Sequence, residues 1–77
     1  MTKACVLLKV RPRTERTVAS QAAKVAGVRF AFTTLGRFDV VASVQARDEE
    51  AFEKAVEDLN RIEDVVASET LPAFEVR

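Results

Sequence analysis

Val28-Arg29-Phe30-Ala31-Phe32-Thr33-Thr34 and Phe38-Asp39-Val40-Val41-Ala42-Ser43-Val44-Gln45-Ala46 are two β-rich runs joined by only Leu35-Gly36-Arg37. A link this short, with a glycine able to take the backbone angles of a tight turn, predicts an antiparallel hairpin. A carboxylate, Asp39, stands three residues after the glycine at the head of the returning strand. That makes a compact polar corner in a chain with no histidine, no tryptophan, no tyrosine and one cysteine.

On the N-terminal side, Ala4-Cys5-Val6-Leu7-Leu8-Lys9-Val10 reads as a strand that stops at Arg11-Pro12. A helix follows, with Thr14 as its expected N-cap and Val18, Ala22 and Val25 on one face. Gly27 is placed to end this helix in a left-handed conformation. On the C-terminal side, Asp48 is the expected N-cap of a second helix. Its apolar stripe is Phe52, Ala55, Val56, Leu59 and Ile62, and Glu57 with Arg61 is an i, i+4 pair on its outer face. Asp64 closes this helix where Gly27 closed the first. Val65 to Thr70 is the fourth strand, and Pro72 ends or bends it. Phe74 and Val76 suggest a tail that is held down.

The order is β-α-β-β-α-β, and a weak internal repeat relates its halves: Lys24-Val25-Ala26-Gly27-Val28 resembles Arg61-Ile62-Glu63-Asp64-Val65. The expected fold class is α+β, a ferredoxin-like βαββαβ plait with a four-stranded antiparallel sheet and two helices on one face. The whole of residues 1–77 makes one domain. Simple alternation places Leu7, Ala31, Thr33, Val41, Ser43, Ser68 and Thr70 on the face without helices. That set is small and mixed in polarity, which suits burial against another sheet in a face-to-face dimer.

Seventy-seven residues give a marginal core, and small domains usually need a further source of stability. Cys5 is alone, so no disulfide forms within the chain. It lies in a hydrophobic strand, so a buried, inert thiol is expected. With no histidine and one thiol, a zinc site is not expected. Self-association is the remaining route. Twelve basic and twelve acidic residues balance, which argues against a nucleic-acid-binding face. The charge is segregated, with seven bases and one acid in residues 1–29 and five bases and eleven acids in residues 30–77. No signal peptide and no transmembrane stretch is visible, and a lone cysteine agrees with a reducing compartment, so the expected location is the cytoplasm.

Catalysis lacks its usual parts. No base stands beside a nucleophile, and both glycines have structural work. The acids of the second helix read as a solvated face. A small zwitterion fits better. The Gly36 turn offers backbone N–H groups to a carboxylate, Asp39 offers an acceptor to an ammonium, and Ser68 and Thr70 offer hydroxyls. The candidate ligand-binding group is Leu35, Gly36, Arg37, Phe38 and Asp39 with Ser68 and Thr70; no catalytic residue, metal ligand or cofactor is assigned. The competing structural reading makes Gly36 only the turn and Asp39 only its hydrogen-bonding partner.

Several segments together resemble the ligand-binding (RAM) domain of the Lrp/AsnC transcription regulators: Ala4 to Val10, Ala26-Gly27-Val28, Gly36-Arg37-Phe38-Asp39-Val40-Val41 and Ile62-Glu63-Asp64-Val65. Gly36 and Asp39 match the Gly-x-x-Asp of that family's hairpin, the most specific piece. The resemblance implies a dimeric α/β-barrel, a homodimer often assembled into an octamer as a tetramer of dimers. It implies an amino-acid effector bound at subunit contacts near the hairpin. Because the sequence begins at strand 1, it resembles the stand-alone form without a helix-turn-helix, and hetero-oligomers with full-length regulators follow as an expectation. Asp64 departs from the glycine common in the family, and Ala67-Ser68-Glu69-Thr70-Leu71-Pro72 departs from a longer Ser/Thr run. Two other readings stay open. One is a small dimeric α/β-barrel enzyme, monooxygenase- or isomerase-like, many of which use a cavity histidine or tyrosine. The other is an ACT-like regulatory domain, which commonly binds near the strand 1–helix 1 loop, here Arg11-Pro12-Arg13-Thr14 with no glycine.

Overall fold

The computed structural model of the chain describes residues 2–73. The elements are β1 (Thr2–Val10), α1 (Glu15–Ala22), β2 (Val28–Thr33), β3 (Val40–Ala46), α2 (Glu49–Asn60) and β4 (Val65–Pro72). The strands form one antiparallel sheet in the order β2-β3-β1-β4. This is the βαββαβ plait expected from the element order. Phe74 and Val76 lie outside the described residues.

The core follows from alternation. Ala4, Val6 and Leu8 of β1 pair with Val44, Ala42 and Val40 of β3, and together with Val10 and Ala46 they are buried on one face. Val18 and Ala22 of α1 and Ala55 and Leu59 of α2 close over that face. Phe52, Val56 and Ile62 border the core, so the α2 stripe falls as its 3.6-residue spacing requires.

The helix ends differ from expectation in detail. Asp48 caps α2, its Oδ1 accepting from the Ala51 N–H at 2.8 Å. Thr14 holds the N-cap position of α1, but its hydroxyl donates to Arg11 O at 2.7 Å and does not cap the helix. The outer-face pair on α2 is Lys54–Asp58 at 3.1 Å and not Glu57–Arg61, and Arg61 stands at the C-cap, past the last helical residue. Gly27 is not adjacent to α1, which stops at Ala22. Residues 23–27 form a turn in which Lys24, Val25 and Val28 donate to the carbonyls three residues before them. Arg61, Ile62 and Val65 do the same after α2. Gly27 (φ 96°) and Asp64 (φ 78°) hold the left-handed position in each copy. The internal repeat is therefore the same exit turn used twice. Asp64 is fixed there by Arg11, whose N–H donates to Asp64 O at 2.9 Å and whose Nε lies 3.6 Å from Asp64 Oδ1.

Each exit turn feeds a strand that carries one extra residue. Val28 pairs Val44 but Phe30 pairs Ser43, so Arg29 is bulged; Val65 pairs Val10 but Ala67 pairs Lys9, so Val66 is bulged. One extra residue reverses which side every later side chain faces. This corrects the expected faces of both outer strands. Ala31 and Thr33 lie opposite Ala42 and Val40, and Ser68 and Thr70 lie opposite Leu8 and Val6, all on the helix side. The face without helices instead carries the row Phe32, Val41, Leu7, Glu69 and the row Phe30, Ser43, Cys5, Leu71. The Phe30 and Phe32 rings stack at 5.9 Å and stay 56% and 46% exposed. Cys5 is exposed in the single chain, contrary to expectation, because alternation puts it opposite the buried Ala4 and Val6. The helix side thus has its own occupants and the other side has none.

Two substitutions separate the contributions. Leu59→Ala should cost about 2–5 kcal/mol through the lost core volume. Asp48→Ala should cost about 1 kcal/mol through the lost cap. Thr14→Ala should not reproduce that second loss, since its hydroxyl caps nothing. Urea titration of the three variants tests this.

Candidate functional site at the hairpin

The β2–β3 link is six residues, not three. β2 ends at Thr33 and β3 begins at Val40, so Phe38 and Asp39 belong to the loop rather than the strand. The loop is closed by Thr34, whose N–H donates to Asp39 O at 2.9 Å and whose hydroxyl donates to Phe38 O at 2.8 Å. Gly36, at φ 128°, has no atom within 4 Å of where a Cβ would stand, so the turn's conformation requires glycine and its neighbours do not.

Asp39 ties this loop to the central strand. Its N–H donates to Leu8 O at 2.9 Å. Its carboxylate Oδ2 accepts from the Val10 N–H at 2.9 Å and lies 3.9 Å from Lys9 Nζ. The β1–β3 ladder ends at the Leu8–Val40 pair. Beyond that point the Asp39 side chain takes the place of a strand carbonyl, satisfying an amide that β3 no longer reaches. The structural role weighed in the sequence is therefore present. It does not remove Asp39 from the ligand group, because the residue also borders a hollow.

The loop separates two hollows. On the helix side lies a cleft of about 550 Å³. Its hairpin wall is Thr33, Thr34, Leu35, Gly36 and Asp39, and its opposite wall is Arg13, Glu15 and Arg16 at the start of α1. On the open sheet face lies a second hollow of about 500 Å³, bordered by Arg37 and Phe38 of the loop with Lys9, Ala67 and Glu69. The five hairpin candidates are thus divided, with Leu35, Gly36 and Asp39 in one hollow and Arg37 and Phe38 in the other. Leu35 is fully exposed. Ser68 and Thr70 join neither. Ser68 Oγ donates to Asn60 Oδ1 at 2.7 Å, and Thr70 borders an apolar groove with Phe52 and Val56 of α2. The bulge at Val66 put them there.

Three wall residues escape a reading centred on the hairpin. Arg13 comes from the β1–α1 connection, which has no glycine, and Glu15 and Arg16 from the first turn of α1. Arg13 takes the left-handed conformation that a glycine would usually supply, at φ 71°. Such a conformation costs a non-glycine residue roughly 1–2 kcal/mol. It is held by the Arg13 N–H donating to Glu15 Oε2 at 3.2 Å and by the Arg11–Thr14 turn. Glu15 Oε1 is shielded from solvent and has no hydrogen-bond partner. Among the described residues, neither the Arg13 nor the Arg16 guanidinium has an ion-pair partner. Among these residues no cluster of His, Cys, Asp and Glu could hold a metal ion, and no helix is long and apolar enough to cross a membrane.

A family model described as the Lrp/AsnC ligand binding domain matches residues 3–76. A sequence comparison with curated proteins finds no match. Among solved structures, the protein TTHA0845 of Thermus thermophilus is 27% identical, with a TM-score of 0.90 covering 100% of this chain and 98% of that one. AsnC of E. coli is 14% identical with a TM-score of 0.84, covering 97% of this chain and 52% of its own. A transcriptional regulator of Neisseria meningitidis, solved as a complex with L-Met, is 21% identical with a TM-score of 0.79, covering 96% of this chain and 50% of its own. The chain thus spans about half the length of these two regulators.

The Asp39 tie is directly testable. Asp39→Ala leaves the Val10 amide without its acceptor and should lower stability by about 1–3 kcal/mol. Asp39→Asn keeps an acceptor and should lose clearly less. Equal losses in denaturant titration would show that the side-chain bond to Val10 does not hold the loop.

Proposed function

Because the chain belongs to the Lrp/AsnC ligand-binding domain family, we propose that it is a non-enzymatic effector-binding module that takes an amino acid or similar small molecule beside the hairpin and works as an oligomer. The observation that carries this reading is the cleft of about 550 Å³ whose walls present guanidinium, carboxylate and hydroxyl groups together. A zwitterion needs both signs of charge in one small volume. The N. meningitidis regulator solved with L-Met adds support from the same fold.

The oligomer reading rests on the open sheet face. Phe30, Phe32, Leu7, Val41 and Leu71 give it an apolar centre, with Lys3, Lys9 and Glu69 around it. A domain this small gains stability by covering such a surface. A second copy of the chain packs sheet to sheet there, closing the dimeric α/β-barrel. The hollow at Arg37 and Phe38 then becomes an enclosed space between subunits. Further association into an octamer, and mixing with full-length regulators, extend the same reading. The module works in the cytoplasm and makes no nucleic-acid contact of its own. The enzyme reading has no histidine or tyrosine to supply the chemistry. The ACT-like reading gains one point, because the β1–α1 connection does border the cleft.

A thermal-shift screen of the twenty amino acids tests the ligand. A ligand at 100 times its Kd adds about 2.7 kcal/mol, or roughly 10–20 °C for a domain of this size. No shift with any amino acid removes the effector reading.

Cys5 reports on the dimer. It lies between Ser43 and Leu71 in the middle of the open face, so its thiol should react slowly with an aromatic disulfide in the native chain and fast in F30S/F32S. Sedimentation should show a dimer for the native chain and a monomer for the double variant. A native monomer with a fast-reacting thiol would refute the face-to-face assembly.

A further inference from the structure

We propose that the effector taken by the helix-side cleft is an α-amino acid carrying a second acidic group, selected by Arg13, Arg16 and Glu15. This rests on the effector-binding reading above and deepens it by naming the ligand class.

The argument is a charge balance over the cleft wall. Asp39 borders the cleft, but its Oδ2 accepts from the Val10 amide at 2.9 Å and lies 3.9 Å from Lys9 Nζ, so its charge is offset by a lysine outside the cleft wall. That leaves Arg13, Arg16 and Glu15. Both guanidinium groups are exposed and, among the described residues, neither is paired with a carboxylate. Glu15 sends Oε2 to the Arg13 N–H, while Oε1 is withheld from water with no donor. The uncommitted wall therefore holds two positive charges and one negative.

A ligand with one ammonium and one carboxylate leaves one guanidinium unmatched. A ligand with one ammonium and two carboxylates matches all three groups. The planar fork of arginine suits carboxylate binding by two parallel N–H···O bonds. The ammonium supplies the donor that Glu15 Oε1 lacks, the flexible carboxylate turning toward it as it docks. Glu15 stands between Arg13 and Arg16 in sequence, and all three line the cleft. The left-handed Arg13 agrees with this role, since that conformation brings an arginine rather than a glycine to the cleft's edge.

Calorimetric titration with L-glutamate, L-aspartate, L-glutamine and glutarate tests the assignment. The native chain should bind at least one of the two acidic amino acids tenfold or more tightly than glutamine. R16Q and R13Q should each bring the ratio of acidic amino acid to glutamine close to one. E15Q should weaken the acidic amino acids at least tenfold and leave glutarate, which has no ammonium, no weaker than before. Circular dichroism verifies the fold of each variant, and R16Q stands on an exposed helix surface where folding is not at stake. A native chain that binds glutamine as tightly as glutamate and aspartate overturns the proposal, as does an R16Q variant that keeps the native ratio. If a neutral or basic amino acid alone stabilises the chain, the effector reading survives and this assignment falls. If no amino acid binds, both fall.

Discussion

The hydrogen bonds of Asp39 hold the two halves of this domain in register at the point where the sheet ends. Leu8 and Val10 belong to β1, and beyond the β1–β3 ladder the hairpin loop is tied to them by one backbone and one side-chain bond, both 2.9 Å. Without that tie the six-residue loop would have only its internal closure by Thr34. With it, the loop stands as a fixed partition between the helix-side cleft and the hollow on the open face. The shape of both spaces therefore depends on a carboxylate whose first duty is to the backbone.

A second constraint is the exit turn that follows each helix. The turn ends in a left-handed residue, Gly27 or Asp64, and passes the chain into a strand with one bulged residue, Arg29 or Val66. The bulges decide what each face of the sheet offers. They turn Ser68 and Thr70 under α2 and turn Phe30 and Phe32 outward. An aromatic pair that would otherwise crowd the small residues of α1 becomes the centre of an apolar surface. One local device, used twice, thus fixes both the internal packing and the surface available for association.

The same device marks the limit of what the sequence makes legible. Element order, sheet topology, the α2 stripe and the Asp48 cap follow from periodicity and capping chemistry, which act over a few residues. The faces of β1 and β3 are readable for the same reason. Those of β2 and β4 are not, because a bulge leaves no trace in a run such as Val28-Arg29-Phe30 or Val65-Val66-Ala67. The internal repeat held part of the answer, since whatever follows Val28 should also follow Val65. At the site, Gly36 and Asp39 are visible as a turn with a carboxylate. The loop of Arg13 draws notice only under the ACT-like reading, and Glu15 and Arg16 are not visible as site residues, because their approach to the hairpin is a tertiary fact. The Arg13 conformation, φ 71° at a non-glycine residue, has no signature in sequence at all.

These points bear on how a ligand and an assembly would influence each other. The partition held by Asp39 has one face on each hollow, with Gly36 turned to the cleft and Phe38 to the open sheet. A molecule bound on the cleft side would touch the loop that carries Arg37 and Phe38 on the open face. A subunit docked on the open face restricts the same loop from the other side. Any coupling between the two is reciprocal, because each event removes freedom that the other would otherwise have to remove. A six-residue loop tied at one carboxylate is well suited to that role. It is exposed at Leu35, open around Gly36, and tied at Asp39.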